Sequence, residues 1–268
     1  MAATPGELLV GRSTRSYSAI CRLICFHWAG GGTSHFIKWA TNFSDSLEVL
    51  AVRPPGRESR LREKPFQSIQ EYVSSVGDLL KAKYMDLPFA FFGHSLGARL
   101  CFETARYLKK TYQAEPIHLF VSGTFPPHSQ EGKDFMRTRN IPNLEEPDQA
   151  FIDYLTRLGG TPKEILENKE FLAFFIPPLR SDLGLLKEFM ERDDVIPKPA
   201  VSCPVTSFIG DEDTPWNKLQ HGWKELTSGL HTNLTLKGGH FYLTEKENMD
   251  KLRTRIELEI HTCLSMPV

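Results

Sequence analysis

Short apolar runs along the chain alternate with longer segments in which apolar residues recur at the spacing of a helix. The short runs are rich in β-branched and aromatic residues and are bounded by Gly, Pro or polar turn residues, as strands usually are. This alternation predicts a mostly parallel sheet with helices on both faces. The predicted strands are 22–26, 47–52, 89–92, 117–121, 205–209 and 232–236, and the predicted helices are 69–84, 96–112, 216–227 and 246–263.

The alternation stops between about residues 125 and 199. Pro and Gly recur in this stretch, no convincing strand is visible, and short helical patterns occur at 149–158 and 179–190. Loops of this length usually have functions. We therefore expect a helical cap inserted into a single domain that spans 21–268, preceded by an N-terminal tail at 1–20. The alternative is a long crossover that carries surface helices.

The composition narrows the possible functions. A net charge of -1 and a pI of about 6.8 give no electrostatic support for binding nucleic acid. The five cysteines form no C-x-x-C pair and no zinc-ligand spacing, which favours a reducing compartment. No apolar run approaches the roughly 20 residues of a membrane span, and the N-terminus lacks the apolar stretch of a signal peptide. The sequence predicts a cytosolic protein without a bound metal ion.

A candidate nucleophile follows the predicted strand 89–92. Residues 93–97 read Gly-His-Ser-Leu-Gly and lead directly into a predicted helix. This order is typical of the nucleophile elbow of α/β-hydrolases, in which the glycines allow a sharp turn of the backbone. The pattern predicts that Ser95 is a catalytic serine and that the backbone N–H of Leu96 points towards an oxyanion. The alternative is an ordinary tight turn between a strand and a helix.

A serine hydroxyl needs a base, and nine histidines are candidates for that role. In the α/β-hydrolase fold the histidine comes last in the chain, on a loop after the final strand. His240 meets this condition because it follows the predicted strand 232–236 and two glycines. His94 lies inside the elbow and is expected to point away from the substrate. We therefore predict that His240 is the general base.

The acid is expected after the predicted strand 205–209, where the chain reads Gly-Asp-Glu-Asp. Only one carboxylate can orient the imidazole. The last residue of a Gly-x-x-Asp turn lies where the chain bends back beneath the histidine loop, so Asp213 is predicted and Asp211 is the alternative. Capping of the next helix is another interpretation of Asp213. The order Ser95, Asp213, His240 is that of the α/β-hydrolase fold.

A glycine-rich loop after the first predicted strand offers a second oxyanion donor. Residues 26–32 read Phe-His-Trp-Ala-Gly-Gly-Gly, and such a run lets backbone amides approach a ligand closely. The N–H of Ala29 is the predicted donor. A phosphate-binding loop is the competing interpretation, although no Gly-Lys-Ser/Thr follows the glycines.

Together these motifs resemble those of the type II thioesterases and, within that family, of the animal medium-chain S-acyl fatty acid synthase thioesterases. The resemblance covers nearly the whole chain, and it implies a Ser-His-Asp hydrolase that needs no cofactor. The implied substrate is a fatty acyl thioester on the phosphopantetheine arm of the acyl carrier domain of fatty acid synthase. The family usually has Pro where this chain has His27, which leaves the oxyanion geometry open. The motifs that carry the resemblance are 26–32, Pro-Gly-Arg-Glu at 55–58, 93–97, 210–213 and Gly-Gly-His-Phe at 238–241.

Three phenylalanines of the predicted cap share one helical face by their spacing, namely Phe171, Phe174 and Phe175. A fatty chain has to be buried by the protein that binds it, because each methylene contributes about 0.8 kcal/mol on leaving water. We therefore expect Phe171 and Phe175 to line part of an acyl groove. The alternative is that these side chains only pack the cap onto the sheet.

Four arginines form a local basic cluster, namely Arg53, Arg57, Arg60 and Arg62. Carrier domains are generally acidic, so this cluster is a candidate docking surface. The favoured interpretation is a solvated face, or an ion pair between Arg57 and Glu58.

The motifs leave three other functions open. An acyltransferase would pass the acyl group to an alcohol or amine and would use the same triad. A carboxylesterase or lipase would prefer oxygen esters. A binding module without catalysis could keep the fold, although the complete Ser-His-Asp set argues against it. For the hydrolase we expect a monomer.

Overall fold

The computed structural model describes residues 9–11, 18–158, 163–192 and 195–265. Within these residues seven strands form one sheet in the order β1-β3-β2-β4-β5-β6-β7. Strand β1 pairs antiparallel with β3, and every other neighbouring pair is parallel. The strands are β1 (Leu9–Gly11), β2 (Cys21–Phe26), β3 (Leu47–Val52), β4 (Phe89–His94), β5 (His118–Ser122), β6 (Val205–Gly210) and β7 (His231–Leu236).

The mostly parallel sheet predicted from the sequence is confirmed, and each predicted strand is present with ends that shift by a residue or two. The structure adds β1, which pairs Leu9 with Val52 and lies within the segment expected to be a tail. Only three residues long, β1 is too short for its hydrophobic pattern to stand out from a loop. Residues 1–8 and 12–17 of the predicted tail lie outside the described residues.

Helices cover both faces of the sheet. Predicted helices 69–84, 96–112 and 246–263 are present, whereas 216–227 is a short α-helix followed by a 3₁₀ segment at Gln220–Leu226. The α-helices are α1 (Ser34–Ala40), α2 (Ile69–Lys83), α3 (Leu96–Tyr112), α4 (Gln130–Arg137), α5 (Asp148–Leu158), α6 (Lys163–Leu166), α7 (Lys169–Glu191), α8 (Trp216–Leu219) and α9 (Lys246–Ser265).

The two faces of the sheet bury two apolar clusters because side chains alternate along each strand. In β2, Ile24 and Phe26 join the cluster under α2 and α3, while Leu23 and Cys25 join the cluster under α1 and α9. The strands are therefore apolar on both faces, as expected for a sheet covered on both sides.

Helices α4 to α7 lie between β5 and β6, in the segment where a cap is predicted. Helix α7 is much longer than the predicted helix 179–190, because it begins at Lys169 and continues through Pro177 and Pro178. The Asn168 side chain caps its start by accepting a hydrogen bond from the Phe171 N–H at 3.0 Å. An apolar cluster of the cap itself contains Phe151, Tyr154, Leu155, Leu172, Ile176, Leu179 and Leu183.

In the described part of the chain, no helix has both the length and the apolar character needed to cross a membrane. Nor do any three His, Cys, Asp or Glu side chains of that part come together as ligands for a metal ion.

Candidate active site

Ser95 lies at the turn between the end of β4 and the start of α3. Its backbone has φ 57° and ψ −118°, a strained conformation for a residue with a side chain. The Ser95 N–H donates to the Ser122 carbonyl at 2.8 Å, and the Ser95 carbonyl accepts from the Ala98 N–H at 3.1 Å. Both hydrogen bonds hold the strained turn in place at the carboxyl edge of the sheet.

The two glycines of the elbow are required by backbone contacts. A Cβ atom at Gly93 would lie 2.1 Å from the Gly97 carbonyl oxygen, and one at Gly97 would lie 2.3 Å from the Phe26 carbonyl oxygen. These neighbours are main-chain atoms of a strand and a helix, which cannot move away as the end of a side chain could. The elbow therefore packs directly against the end of β2.

His240 and Asp213 contact each other across two loops. His240 Nδ1 lies 2.9 Å from Asp213 Oδ2, and the Asp213 side chain is almost fully buried. The loops approach so closely that a Cβ atom at Gly210 would lie 2.1 Å from the Gly238 carbonyl oxygen. Asp211 has another contact, because its Oδ1 accepts the Gly238 N–H at 2.7 Å. Asp213 thus reaches the imidazole, while Asp211 supports the backbone of the histidine loop.

His94 lies inside the fold, next to His240. The two ring centroids are 4.9 Å apart. His94 is completely buried, which lowers the pKa of its imidazole well below the ordinary value, and the nearby His240 lowers it further. The neutral His94 ring is therefore a packing surface for His240.

Two residues that the sequence motifs did not identify support His94. Its Nδ1 lies 2.8 Å from Ser122 Oγ, which in turn lies 2.6 Å from the Tyr242 hydroxyl. Ser122 ends β5 and is the register partner of His94 in β4. The end of β5 is a signal that could have been used, because carboxyl ends of parallel strands meet at one edge of the sheet.

Within the described residues, Ser95 Oγ makes no hydrogen bond to His240 or to another side chain. The two residues are nevertheless neighbours, because the His240 ring packs on His94, which precedes Ser95 in the chain. Nucleophile–base contacts are often long in enzymes without substrate and tighten when substrate binds.

The two predicted oxyanion donors have free N–H groups among the described residues. Leu96 is the first residue of α3, so its N–H has no partner within the helix. The N–H of Ala29 meets no acceptor in the described part of the chain, whereas the Gly31 N–H donates to the Trp28 carbonyl at 2.8 Å. The glycine-rich loop after β2 therefore forms a tight turn beside the elbow.

Helix α7 packs on this loop. Gly30 has φ +73°, and a Cβ atom there would lie 2.8 Å from Phe175 Cζ and 3.3 Å from Leu179 Cδ1. Phe171 stacks on Phe175 with ring centroids 5.4 Å apart and is 40% exposed. Phe174 points to solvent and is 62% exposed. Phe175 and Phe171 thus extend from the loop to the surface, and Phe174 does not.

The predicted ion pair between Arg57 and Glu58 is wrong. Arg57 is buried and binds Asp182 of α7, with Nη2 at 2.8 Å from Oδ1. The Glu58 carboxylate instead accepts the Thr33 N–H and hydroxyl, each at 2.7 Å. Arg60 pairs locally with Glu63, so two of the four arginines of the basic cluster, Arg57 and Arg60, bind carboxylates.

Comparisons with known proteins agree with this geometry. Residues 21–259 match the family described as Thioesterase domain. The chain is 41% identical over 239 residues to the S-acyl fatty acid synthase thioesterase, medium chain, of Rattus norvegicus, an alignment that covers 89% of this chain and 87% of that protein.

Two solved structures with a similar fold are described as thioesterases as well. One is the crystal structure of human thioesterase 2, with 34% identity, a TM-score of 0.68 and coverage of 93% of this chain and 99% of that chain. Another is the thioesterase RedJ from the prodiginine biosynthetic pathway in Streptomyces coelicolor, with 30% identity, a TM-score of 0.77 and coverage of 91% and 92%. Because the family model matches most of the chain and the relatives match over most of their length, this protein belongs to the thioesterase domain family and is a thioester hydrolase.

Proposed function

We propose that this protein is a serine thioesterase that hydrolyses fatty acyl thioesters on the acyl carrier domain of fatty acid synthase and releases free, medium-chain fatty acids. The observation that carries the proposal is the Asp213–His240 pair beside a strained Ser95, in a chain of the thioesterase family. The medium chain length and the synthase come from the names of the relatives. The enzyme would act in the cytosol as a monomer.

The reaction proceeds in two halves through an acyl-serine intermediate. His240 takes the proton of Ser95, whose oxygen attacks the thioester carbonyl, and the protonated imidazole then gives a proton to the departing pantetheine thiol. A water molecule, deprotonated by the same imidazole, releases the fatty acid and restores Ser95. Asp213, bound to Nδ1 at 2.9 Å, orients the ring and stabilises its protonated form.

The backbone N–H groups of Leu96 and Ala29 stabilise the oxyanion that forms in each half. A free amide at the start of a helix favours negative charge, because the helix dipole and the unpaired N–H act together. The glycine-rich loop supplies the second amide. Such donors act only where charge develops, so they lower the barrier rather than tighten substrate binding.

The acyl chain lies against the aromatic pair of α7. Phe175 packs on Gly30 beside the oxyanion loop, and Phe171 continues the apolar surface outward. This placement supports a substrate-lining role for both residues, since the pair begins beside the loop that carries the proposed oxyanion donor.

The test is hydrolysis of acyl carrier protein loaded with fatty acids of several lengths, followed by measurement of the free acids. We expect release by the parent and at least about a thousandfold slower release by Ser95→Ala, because that variant loses the covalent route. Equal rates in the two proteins would rule out serine catalysis. Transfer to an added alcohol in place of hydrolysis would indicate an acyltransferase, and faster turnover of oxygen esters a carboxylesterase.

A further inference from the structure

The carboxylate of Asp182 on α7 reaches from the cap to the glycine-rich loop. Its Oδ2 accepts the Gly30 N–H at 2.8 Å and Arg57 Nη1 at 2.9 Å, while Oδ1 accepts Arg57 Nη2 at 2.8 Å. Both side chains are buried, with exposed fractions of 2% for Asp182 and 5% for Arg57. This ion pair therefore joins three parts of the chain that are far apart in sequence.

Arg57 also holds the loop from its other end. Its Nη1 donates to the Gly31 carbonyl and lies 3.3 Å from His27 Nδ1. His27 is fully buried, and burial together with the Arg57 charge lowers the pKa of its imidazole to about 4, so the ring is neutral at neutral pH. Asp182 thus binds the loop at the Gly30 N–H, and Arg57 binds it at the Gly31 carbonyl.

These contacts determine the direction of the Ala29 N–H. That N–H belongs to the same planar peptide unit as the Trp28 carbonyl, which points the opposite way because the peptide is trans. The Trp28 carbonyl accepts the Gly31 N–H at 2.8 Å and lies 3.0 Å from His27 Nδ1. Holding Gly31 and Gly30 in place therefore fixes the plane that carries the predicted oxyanion donor.

An ion pair in this position has a large desolvation cost and is a poor way to gain stability, since apolar side chains of similar volume commonly stabilise as well. The apolar contacts of Phe175 and Leu179 with the loop could attach the cap by themselves. They could not orient an amide. The directional hydrogen bonds of the carboxylate and the guanidinium do so.

We propose that Asp182 and Arg57 are positioning residues that fix the oxyanion loop from the cap, so that cap placement and oxyanion stabilisation are coupled. This inference rests on the proposed function, because it assigns a purpose to the Ala29 N–H. Neither residue touches the reacting atoms. Their effect reaches the reaction through the Trp28–Ala29 peptide.

The experiment compares two variants of the pair with a control. Asp182→Asn keeps the shape and one acceptor oxygen but loses the charge. The double variant Arg57→Met, Asp182→Leu replaces the ion pair with apolar volume and leaves the Gly30 N–H unheld. Asp148→Asn breaks a different ion pair of α7, in which Arg180 Nη2 lies 2.6 Å from Asp148 Oδ1, away from the loop.

Each variant is assayed for kcat, KM and melting temperature, and for binding of an acyl trifluoromethyl ketone, which forms a tetrahedral oxyanion on an active serine. We expect the double variant to melt within a few degrees of the parent, yet to lose on the order of a hundredfold in both kcat and ketone affinity, because a small misplacement of a catalytic group has effects of this size. KM should change little. Asp182→Asn should show a smaller loss, and Asp148→Asn none.

Unchanged ketone affinity and kcat in a folded double variant would overturn the inference, as would a loss confined to KM. If the double variant does not fold, the kcat and the ketone affinity of Asp182→Asn test the inference in its place. Failure of the proposed function has a different signature: the parent itself would not release fatty acid from acyl carrier protein, whatever its affinity for the ketone.

Discussion

The loops at the carboxyl edge of the sheet and the helical cap are built in different ways. At the sheet edge, main-chain atoms touch main-chain atoms, as where Gly97 meets Phe26 and Gly210 meets Gly238. The cap has an apolar cluster of its own around Phe151 and reaches the loops through side chains, chiefly Phe175 and Asp182.

Under the proposed function, this difference separates the groups that carry out the reaction from the surface that selects the acyl chain. Catalytic groups have to be held to within a fraction of an ångström, and backbone packing provides that accuracy. An acyl chain has no directional groups, so an apolar surface on the cap can change without disturbing the proposed triad. The Asp182–Arg57 pair is a directional connection between the cap and the oxyanion loop.

The largest effect is expected from the acid at the sheet edge. Asp213→Asn should lower kcat by about a hundredfold to ten-thousandfold, because the amide disfavours the tautomer and the protonated state that His240 needs. Asp211→Asn is the matched control, since its oxygen accepts only the Gly238 N–H and an amide oxygen can do the same. Steady-state kinetics on an acyl thioester decide between them. A severe Asp211 variant with a mild Asp213 variant would reverse the assignment.

Backbone packing at the same edge is tested by stability. Gly97→Ala should lower the free energy of unfolding by about 2 kcal/mol or more, because the new Cβ would lie 2.3 Å from the Phe26 carbonyl oxygen. Gly239→Ala is the control, since no heavy atom lies within 4 Å of its Cβ position. Urea unfolding of both variants measures the difference. Equal stabilities would show that the elbow can relax, contrary to the comparison drawn above.

Acid should weaken the sheet layer before the cap, because helices α4 to α7 contain no histidine. Burial lowers the pKa of His118 to about 3, with its Nε2 at 2.8 Å from Thr206 Oγ1. A folded pKa below the unfolded value of about 6.5 means that this contribution is complete above pH 6.5 and is lost as pH falls towards 3. His118→Gln should therefore lose a few kcal/mol less stability than the parent between pH 7 and pH 4.

Urea unfolding at the two pH values provides the measurement, with His261→Gln as the control, because His261 is exposed on α9. The same pH dependence in the parent and in His118→Gln would mean that His118 does not resist protonation.

The smallest effects are expected from the aromatic residues of the cap. Phe175→Ala should shift the preferred acyl length and change relative rates among chain lengths by a few fold, while turnover of a short thioester remains nearly constant. Phe174→Ala should leave the preferred acyl length and the relative rates unchanged, because that side chain is 62% exposed. Competition among acyl carrier proteins of different chain length measures the shift. Equal losses on all lengths, with a lower melting temperature, would identify Phe175 as core.

Several features follow from the sequence alone. Local patterns predicted the parallel sheet, the elbow around Ser95 and the loop that carries His240, because each depends on residues close together in the chain. The pattern also favoured Asp213, and the Asp213–His240 contact lies where the turn rule placed it. Only the second half of helix α7 was predicted, because two consecutive prolines, Pro177 and Pro178, normally end a helix. In the folded protein the helix continues through both.

Only the tertiary structure decided which distant side chains meet. Arg57 has an acidic neighbour in sequence, Glu58, yet it pairs with Asp182, which lies 125 residues away. His94 had no predicted role, and the end of β5 holds its ring against His240. Sequence patterns encode the period of each element and the order of the motifs. Long-range pairing is set by how complete elements pack, and that arrangement exists only once the sheet and the cap have formed.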